Sequence, residues 1–293
     1  PRMPQLLERY AARRQGCPTI HPEGLRRLVH YLDVFQRSTC FPGKGIHFVD
    51  WLAKGRQGRP GPAQLFPRDV AAAYSSYSGL PVELVADEVP LAACDVREAL
   101  ASRVVGQRAA CETCARVVAR FKARINDPER PLGTLLFVGP TGVGKTELAR
   151  QLARYLFGDE RRMVRLDMSE PAAPGATDRP LGAGEGGRSL AERVRQQPLS
   201  LVLLDEIEKA HPQVFDVLLG VLGEGRLTDG LGRLVDFRSC LVIMTSNLGV
   251  SDATPVGFGE QRREDFVMHV RQHFRPEFFN RLDSVCAFRY LTP

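Results

Sequence analysis

The sequence lacks any apolar run long enough to cross a bilayer, and its first residues, PRMPQLLERYAARRQG, lack the apolar stretch of a secretory signal. We therefore expect a cytosolic protein that makes no contact with a membrane. The chain opens on Pro1 rather than on methionine, so we expect a piece of a longer protein. Cysteine occurs seven times, an odd number that disfavours a disulfide framework.

Signals for a zinc site and for nucleic-acid binding are also lacking. Cys111 and Cys114 form a C-x-x-C, but they lie in a stretch with helical periodicity, QRAACETCARVVARFKARI, without a second Cys or His pair nearby. We therefore predict packed thiols rather than a metal site. The net charge of +6 comes with scattered arginine pairs, and neither a helix-turn-helix signature nor a platform of stacking aromatic residues accompanies it. The sequence thus predicts no nucleic-acid partner.

Residue patterns divide the chain into a helical part, a linker and an α/β part. Residues 1–55 carry apolar residues three and four apart, which predicts a small helical domain. Residues 56–102 begin with the Gly- and Pro-rich KGRQGRPGPAQLFP, which predicts a linker or connector. In residues 103–293 strands alternate with helices, and this predicts a mostly parallel sheet covered on both faces. The strand candidates are TLLFVG, MVRLDMS, LSLVLLDEI, CLVIMTSN and VCAFRYL.

The first of these strands runs directly into a candidate phosphate-binding loop. The segment GPTGVGKTELARQLARYLFG carries the spacing G-x-x-x-x-G-K-T. Glycines let the backbone curl so that its N–H groups and the helix N-terminus surround phosphates, while the lysine neutralises the outer phosphates and the threonine hydroxyl binds Mg²⁺. The predicted ATP-binding residues here are Gly139, Pro140, Thr141, Gly142, Val143, Gly144, Lys145 and Thr146, with Thr146 as a magnesium ligand.

Two further strand candidates end in polar residues. LSLVLLDEI delivers Asp205 and Glu206 to the carboxyl edge of the sheet, where ligands of open α/β sheets bind. Asp205 is predicted to hold Mg²⁺ through water, and Glu206 to polarise the attacking water as a general base. CLVIMTSN places Asn247 at the same edge, where it either orients that water and senses the γ-phosphate or forms a simple turn.

Six motifs, taken in order, resemble the second ATPase module of the Clp unfoldases and disaggregases of the ClpB and ClpC kind, a clade of the AAA+ family. They are VVGQ, GPTGVGKTELA, LLDEIEKAHPQVF, GRLTDGLGRLVDF, IMTSNLG and FRPEFFNRLD. The resemblance implies an AAA+ P-loop large domain over residues 103–293, with a parallel five-stranded sheet between helices. Upstream, FPGKGIHFVDWLA is similar to the small helical domain that ends the first module, and DVAAAYSSYSGLP resembles the connector between modules.

The resemblance also implies roles outside the phosphate loop. Val104 and Val105 match the walls of the adenine pocket, and Arg281 matches the arginine finger that reaches the ATP site of the neighbouring subunit. A finger that acts in trans implies a ring, usually a hexamer in this family, which hydrolyses ATP with Mg²⁺ and remodels protein substrates. The alternative for Arg281 is a surface salt bridge with Asp283.

The sequence departs from the family in two places. The family's second small domain would begin just after FRYLTP, so we expect the chain to lack this C-terminal lid and to show low ATPase activity alone. The loop PGATDRPLGAGEGGRSL has glycines from Gly182 to Gly187 where relatives carry an aromatic residue that grips the substrate. Three interpretations stay open: gripping by another module or by GEGRLTDGLGR, ATP used as a conformational switch without threading, or a shortened turn.

Partner sites follow from the same resemblance. Val256, Gly257 and Phe258 lie where peptidase-coupled relatives carry a docking tripeptide, although disaggregases carry a similar Phe-Gly there. The resemblance therefore implies self-association and protein substrates, and it leaves peptidase docking open. The rival function is a nucleotide-gated regulator or scaffold that does not thread substrates. The missing aromatic residue favours this rival, while Glu206 and Arg281 oppose it.

Overall fold

The computed structural model describes residues 2–37, 39–56, 62–89, 91–169, 189–229, 231–248, 268 and 270–291. The chain forms two compact units. The first comprises Pro1–Pro90 with Leu156–Gly158, and the second comprises Leu91–Tyr155 with Asp159–Pro293.

The first unit is built from helices around an aromatic core. Tyr31, Phe48 and Tyr74 are fully buried, and the ring centroids of the two tyrosines lie 5.6 Å apart. The second helix begins at Pro22, whose fixed φ suits a first turn, and the ring of His21 accepts a backbone N–H as a cap. The elements are α1 (Met3–Ala12), α2 (Pro22–Phe35), α3 (Gly43–Arg56), α4 (Pro67–Ser78) and α5 (Val82–Val85), with the parallel pair β1 (Thr19–Ile20) and β2 (Gln64–Leu65).

The second unit is a parallel sheet with helices. Its strands are β3 (Gly133–Val138), β4 (Met163–Asp167), β5 (Leu201–Asp205), β8 (Leu241–Ser246) and β9 (Ser284–Ala287), and a separate antiparallel hairpin joins β6 (Arg226–Thr228) to β7 (Leu234–Asp236). The five strands lie in the order β4-β5-β8-β3-β9. The helices that lie wholly or mostly in this unit are α6 (Ala93–Ala101), α7 (Arg108–Lys122), α8 (Lys145–Phe157), α9 (Leu190–Gln196), α10 (Pro212–Glu224) and a short helix at Pro276–Phe279.

The register of the sheet brings the carboxyl ends of its central strands together. β3 and β8 pair from Gly133 with Leu241 to Val138 with Ser246, and β5 pairs in parallel with the other side of β8. Strands β3, β5 and β8 are buried along their whole length, because apolar side chains on both faces contact the covering layers. The segments that follow these three strands therefore leave the sheet side by side.

The predicted α/β class and the five-stranded parallel sheet are confirmed; β3 is shifted by one residue from its predicted segment, and the other four strands are shorter than theirs. The segment 56–102, predicted as a linker, contains α4, α5 and α6, and GRLTDGLGRLVDF forms the β6–β7 hairpin. How the chain divides into the family's domains stays a prediction. Within the described ranges, every helix is too short or too polar to serve as a membrane span.

Candidate nucleotide site

The candidate phosphate-binding loop joins β3 to α8 at the carboxyl edge of the sheet. Gly139 opens the loop with φ of +149°, and a Cβ added there would lie 2.7 Å from the carbonyl oxygen of Phe288. Only glycine fits so close to the backbone that follows β9. Thr146 lies half-buried in the first turn of α8, while Thr141 is exposed on the loop. The loop therefore presents backbone N–H groups and a helix N-terminus at one place, as anion binding requires.

Lys145 is held inward by neutral oxygens. Its ammonium donates to the carbonyl oxygens of Gly139 and Pro140, the latter at 2.8 Å, and to Oδ1 of Asn247 at 2.8 Å. The residue is only 8% exposed, and burial lowers the pKa of the ammonium although nearby carboxylates oppose that shift. A buried cation with neutral direct partners suits an anionic ligand such as phosphate.

Asp205 ends β5 as a buried carboxylate with partners on both oxygens. Oδ1 accepts a hydrogen bond from the hydroxyl of Thr245, and Oδ2 pairs with Arg165, at 2.9 Å from Nε and 2.6 Å from Nη2. Arg165 belongs to the neighbouring strand β4 and is half-exposed. The guanidinium balances the carboxylate charge, as expected for a charge held out of water.

Glu206 turns the chain sharply after β5. Its φ of +56° lies in the left-handed region, which costs roughly 1–2 kcal/mol for a residue with a side chain. Its N–H donates to the hydroxyl of Thr245 at 3.0 Å, and its carboxylate accepts from Nδ2 of Asn247 at 3.1 Å and pairs with Lys209 at 2.5 Å. The strained turn places the predicted general base beside Asn247.

Asn247 connects the lysine to the glutamate. Its side chain accepts from Lys145 through Oδ1 and donates to Glu206 through Nδ2. Its main-chain N–H donates to Oε1 of Glu208 at 3.0 Å, which fixes the residue just beyond the end of β8. The side chain therefore does more than close a turn, and this arrangement suits the predicted sensing role.

The two predicted adenine-pocket residues differ in exposure. Val104 is buried, and its Cγ1 atom lies 3.5 Å from the position of a Cβ added to Gly144. Its side chain therefore packs against the phosphate loop. Val105 is 75% exposed. The structure thus places one side chain against the loop and leaves the other open to solvent.

Gln107 is a buried residue of the motif VVGQ for which the sequence predicts no role. Nε2 donates to the carbonyl oxygens of Val143 at 3.1 Å and Arg289 at 2.8 Å, and Oε1 accepts the N–H of Arg289 at 3.1 Å. The side chain is 3% exposed. It ties the phosphate loop to the segment that follows β9.

Arg281 contacts α10 rather than Asp283. Its guanidinium donates to the carbonyl oxygen of Leu219. Asp283 accepts the N–H of Thr134 at 2.7 Å and lies 3.4 Å from Arg120. The alternative of a salt bridge between Arg281 and Asp283 is therefore not the arrangement found, and the finger role stays a prediction.

The donor set suits Mg²⁺ bound together with a nucleotide. Thr146 offers a hydroxyl and Asp205 a carboxylate, and Mg²⁺ commonly binds one or two such oxygens with phosphates and water. Among the described residues, no group of three or more His, Cys, Asp or Glu could hold a metal ion by itself. Cys111 and Cys114 are both buried on α7, as predicted for packed thiols.

Two predicted loops lie outside the described residues: Gly182 to Gly187, and the docking segment Val256, Gly257 and Phe258. Both stay predictions. Within the described site, sequence reasoning missed Thr245 and Arg165. The signals were there, because Thr245 is a polar residue near the end of the apolar strand LVIMTS, and Arg165 alternates with apolar residues in MVRLD.

Comparisons with known proteins show which family the chain resembles. The family model of the AAA domain (Cdc48 subfamily) matches residues 130–285. The chaperone protein ClpB of Propionibacterium freudenreichii subsp. shermanii is 48% identical over 231 residues, which cover 76% of the chain and 27% of that protein. The negative regulator of genetic competence ClpC/MecB of Bacillus subtilis is 45% identical over 255 residues, with coverage of 81% and 31%. The chain thus spans about a quarter to a third of the curated relatives it matches.

Two solved structures of Saccharomyces cerevisiae Hsp104 are also similar. The Hsp104–ADP complex matches with a TM-score of 0.78 and 29% identity, covering 98% of the chain and 52% of the Hsp104 chain. The Hsp104–casein complex in its extended conformation matches with a TM-score of 0.76 and 30% identity, covering 99% and 51%.

Proposed function

Because the chain belongs to the AAA family and is of the Clp type, we propose that its second unit binds ATP with Mg²⁺ and hydrolyses it to ADP and phosphate. The observation that carries this proposal is the hydrogen-bonded line from Lys145 through Asn247 to Glu206. A phosphate-binding loop alone would account for binding of the nucleotide but not for its hydrolysis. The carboxylate joined to the loop by Asn247 adds a group able to accept a proton.

Each side chain has one task in this proposal. Lys145 exchanges its carbonyl partners for phosphate oxygens, and the loop amides hold the remaining phosphate charge. Asn247 orients the attacking water, and Glu206 accepts its proton. Thr146 would hold Mg²⁺ directly and Asp205 would hold it through water, and the bound ion would supply positive charge at the phosphates. Val104 and Val105 flank the base.

We further propose that the protein works as a chaperone or unfoldase motor in a ring of subunits. ClpB is named a chaperone and the Hsp104 structure contains casein, which supports a protein substrate for this chain as well. Arg281 completes the site of the neighbouring subunit. The hexameric state and a cytoplasmic location belong to the same proposal and rest on the resemblance, which leaves peptidase docking at Val256 to Phe258 open.

A second function is a nucleotide-gated regulator or scaffold that does not thread substrates. The sequence between Gly182 and Gly187 favours it, because glycines offer no large apolar surface with which to grip a chain. The same ATP site would then drive a conformational change only.

The test uses the intact protein with ATP, Mg²⁺ and a folded fluorescent reporter that bears an unstructured tail. ATP-dependent loss of reporter fluorescence that disappears in Glu206→Gln supports the motor. ATP turnover with the reporter intact contradicts threading and supports the regulator. Failure of the wild type to bind or hydrolyse ATP, in contrast to a related motor assayed in parallel, refutes the proposed site.

A further inference from the structure

Helix α10 carries two glycines near its carboxyl end, where glycine weakens a helix relative to alanine. The two positions differ in their surroundings. A Cβ added to Gly220 would make only an ordinary contact of 3.7 Å with the carbonyl oxygen of Arg226. A Cβ added to Gly223 would lie 1.7 Å from Nη1 and 2.6 Å from Cζ of Arg281. Only Gly223 therefore leaves space that another side chain fills.

The guanidinium of Arg281 fills that space. It donates to the carbonyl oxygen of Leu219, one turn before Gly223 on the same helix. Carbonyl groups near the carboxyl end of a helix carry partial negative charge and favour a cation. We call this position, formed by the Leu219 carbonyl and the bare backbone of Gly223, the arginine seat.

A second arginine holds the backbone beside the arginine seat. Arg130 donates from Nη2 to the carbonyl oxygen of Arg281 at 2.6 Å, and from Nε to that of Leu222 at 3.1 Å. The main chain of Arg281 is thus bound to the end of α10 through a separate residue. The guanidinium can leave the arginine seat by side-chain rotation while this anchor stays in place.

We propose that Gly223 is a positioning residue for Arg281: by lacking a side chain it provides the arginine seat, in which the guanidinium rests when it is not at a neighbouring subunit. Leaving the seat costs a hydrogen bond from a charged donor. The seat therefore makes Arg281 less available to the ATP site of a neighbouring subunit. This inference rests on the proposed function, because availability in trans matters only if Arg281 completes a neighbour's ATP site.

The seat itself is tested by labelling the intact protein with phenylglyoxal and measuring modification of each arginine by peptide mass spectrometry. In Gly223→Ala the added methyl displaces the guanidinium, and modification of Arg281 should rise about tenfold, as expected when one hydrogen bond from a charged donor is lost. Gly220→Ala is the matched control, because it removes the other helix glycine without approaching Arg281. The exposed Arg26 serves as the internal reference. Equal Arg281 modification in wild type and Gly223→Ala, or an equal rise in Gly220→Ala, overturns the proposal.

Mixed oligomers test whether the seat makes Arg281 less available to a neighbouring subunit. Lys145→Ala subunits donate Arg281 but cannot use their own site, and Arg281→Ala subunits supply intact sites without a finger. When the Lys145→Ala subunits also carry Gly223→Ala, ATP turnover of the mixture should be severalfold higher than when they carry Gly220→Ala instead. Unchanged or lower turnover overturns the resting role of the seat. Absence of turnover in wild-type oligomers refutes the proposed function instead, and the labelling result still decides whether the seat exists.

Discussion

Replacing Thr245 with valine should destabilise the second unit at the candidate nucleotide site. The Thr245 hydroxyl is buried, donates to Asp205 and accepts the N–H of Glu206. Valine keeps the branched shape but removes both hydrogen bonds. A bond to a carboxylate contributes about 1.5–3 kcal/mol, and an unsatisfied buried N–H costs about 1–3 kcal/mol. Because Arg165 still binds the other oxygen of Asp205, we expect a combined loss of about 2–4 kcal/mol in the free energy of unfolding.

The assay is thermal unfolding followed by circular dichroism, with Thr245→Ser as the matched control that keeps the hydroxyl. For domains of roughly 150–250 residues, 1 kcal/mol shifts Tm by about 2–4 °C, so valine should lower Tm by about 4–16 °C. Serine should recover most of the difference. A loss below about 0.5 kcal/mol for valine, or equal losses for valine and serine, would refute the account of Thr245 as the partner that holds both carboxylate residues in place.

Three further predictions concern other parts of the second unit. Asn247→Ala should lower ATP turnover by roughly 10²-fold while changing nucleotide affinity only severalfold, because it separates Lys145 from Glu206 without removing either; comparable losses in both measurements contradict this. Gln107→Glu should lower Tm, because a carboxylate oxygen replaces the N–H group that faces two carbonyl oxygens, and Gln107→Leu should be less harmful if this repulsion matters. Burial raises the pKa of Cys240 from 9.0 to about 12, so between these values the unfolded thiol ionises while the folded one stays neutral, and stability falls as pH rises. Cys240→Ala should flatten this alkaline slope in urea titrations, and an unchanged slope counts against the assignment.

The sheet and the candidate phosphate loop could be predicted from the sequence, because the sequence signals for both are local. Buried parallel strands appear as short continuous apolar runs, and the loop glycines and Lys145 appear at fixed spacing. The positions of Asp205 and Asn247 could also be predicted, because Asp205 ends one such run and Asn247 comes directly after another. For these residues, position along one strand decides position in space.

The side chains that contact Asp205 could not be predicted from the sequence, because those contacts depend on the order of the strands in the sheet. Arg165 reaches Asp205 only because β4 lies beside β5, and Thr245 reaches it only because β8 lies on the other side. Nothing within MVRLD or LVIMTS states which strand is adjacent. The arginine seat is harder still to predict, since it joins residue 223 on a helix to residue 281 through the absence of a side chain.

The hydrogen bonds of Gln107 to Arg289 have a consequence for synthesis of the protein. These residues lie 182 positions apart, and β3, the strand that leads into the phosphate loop, pairs only with the later strands β8 and β9. At about 5–20 residues per second, a ribosome needs roughly 5–20 s to pass from the end of β3 at Val138 to the end of β8, its first partner, at Ser246. Throughout that time β3 is an apolar strand with both hydrogen-bonding edges free, which is a template for aggregation. The nascent chain therefore passes through an interval of translation in which a central strand of its sheet has been made but has no strand to pair with.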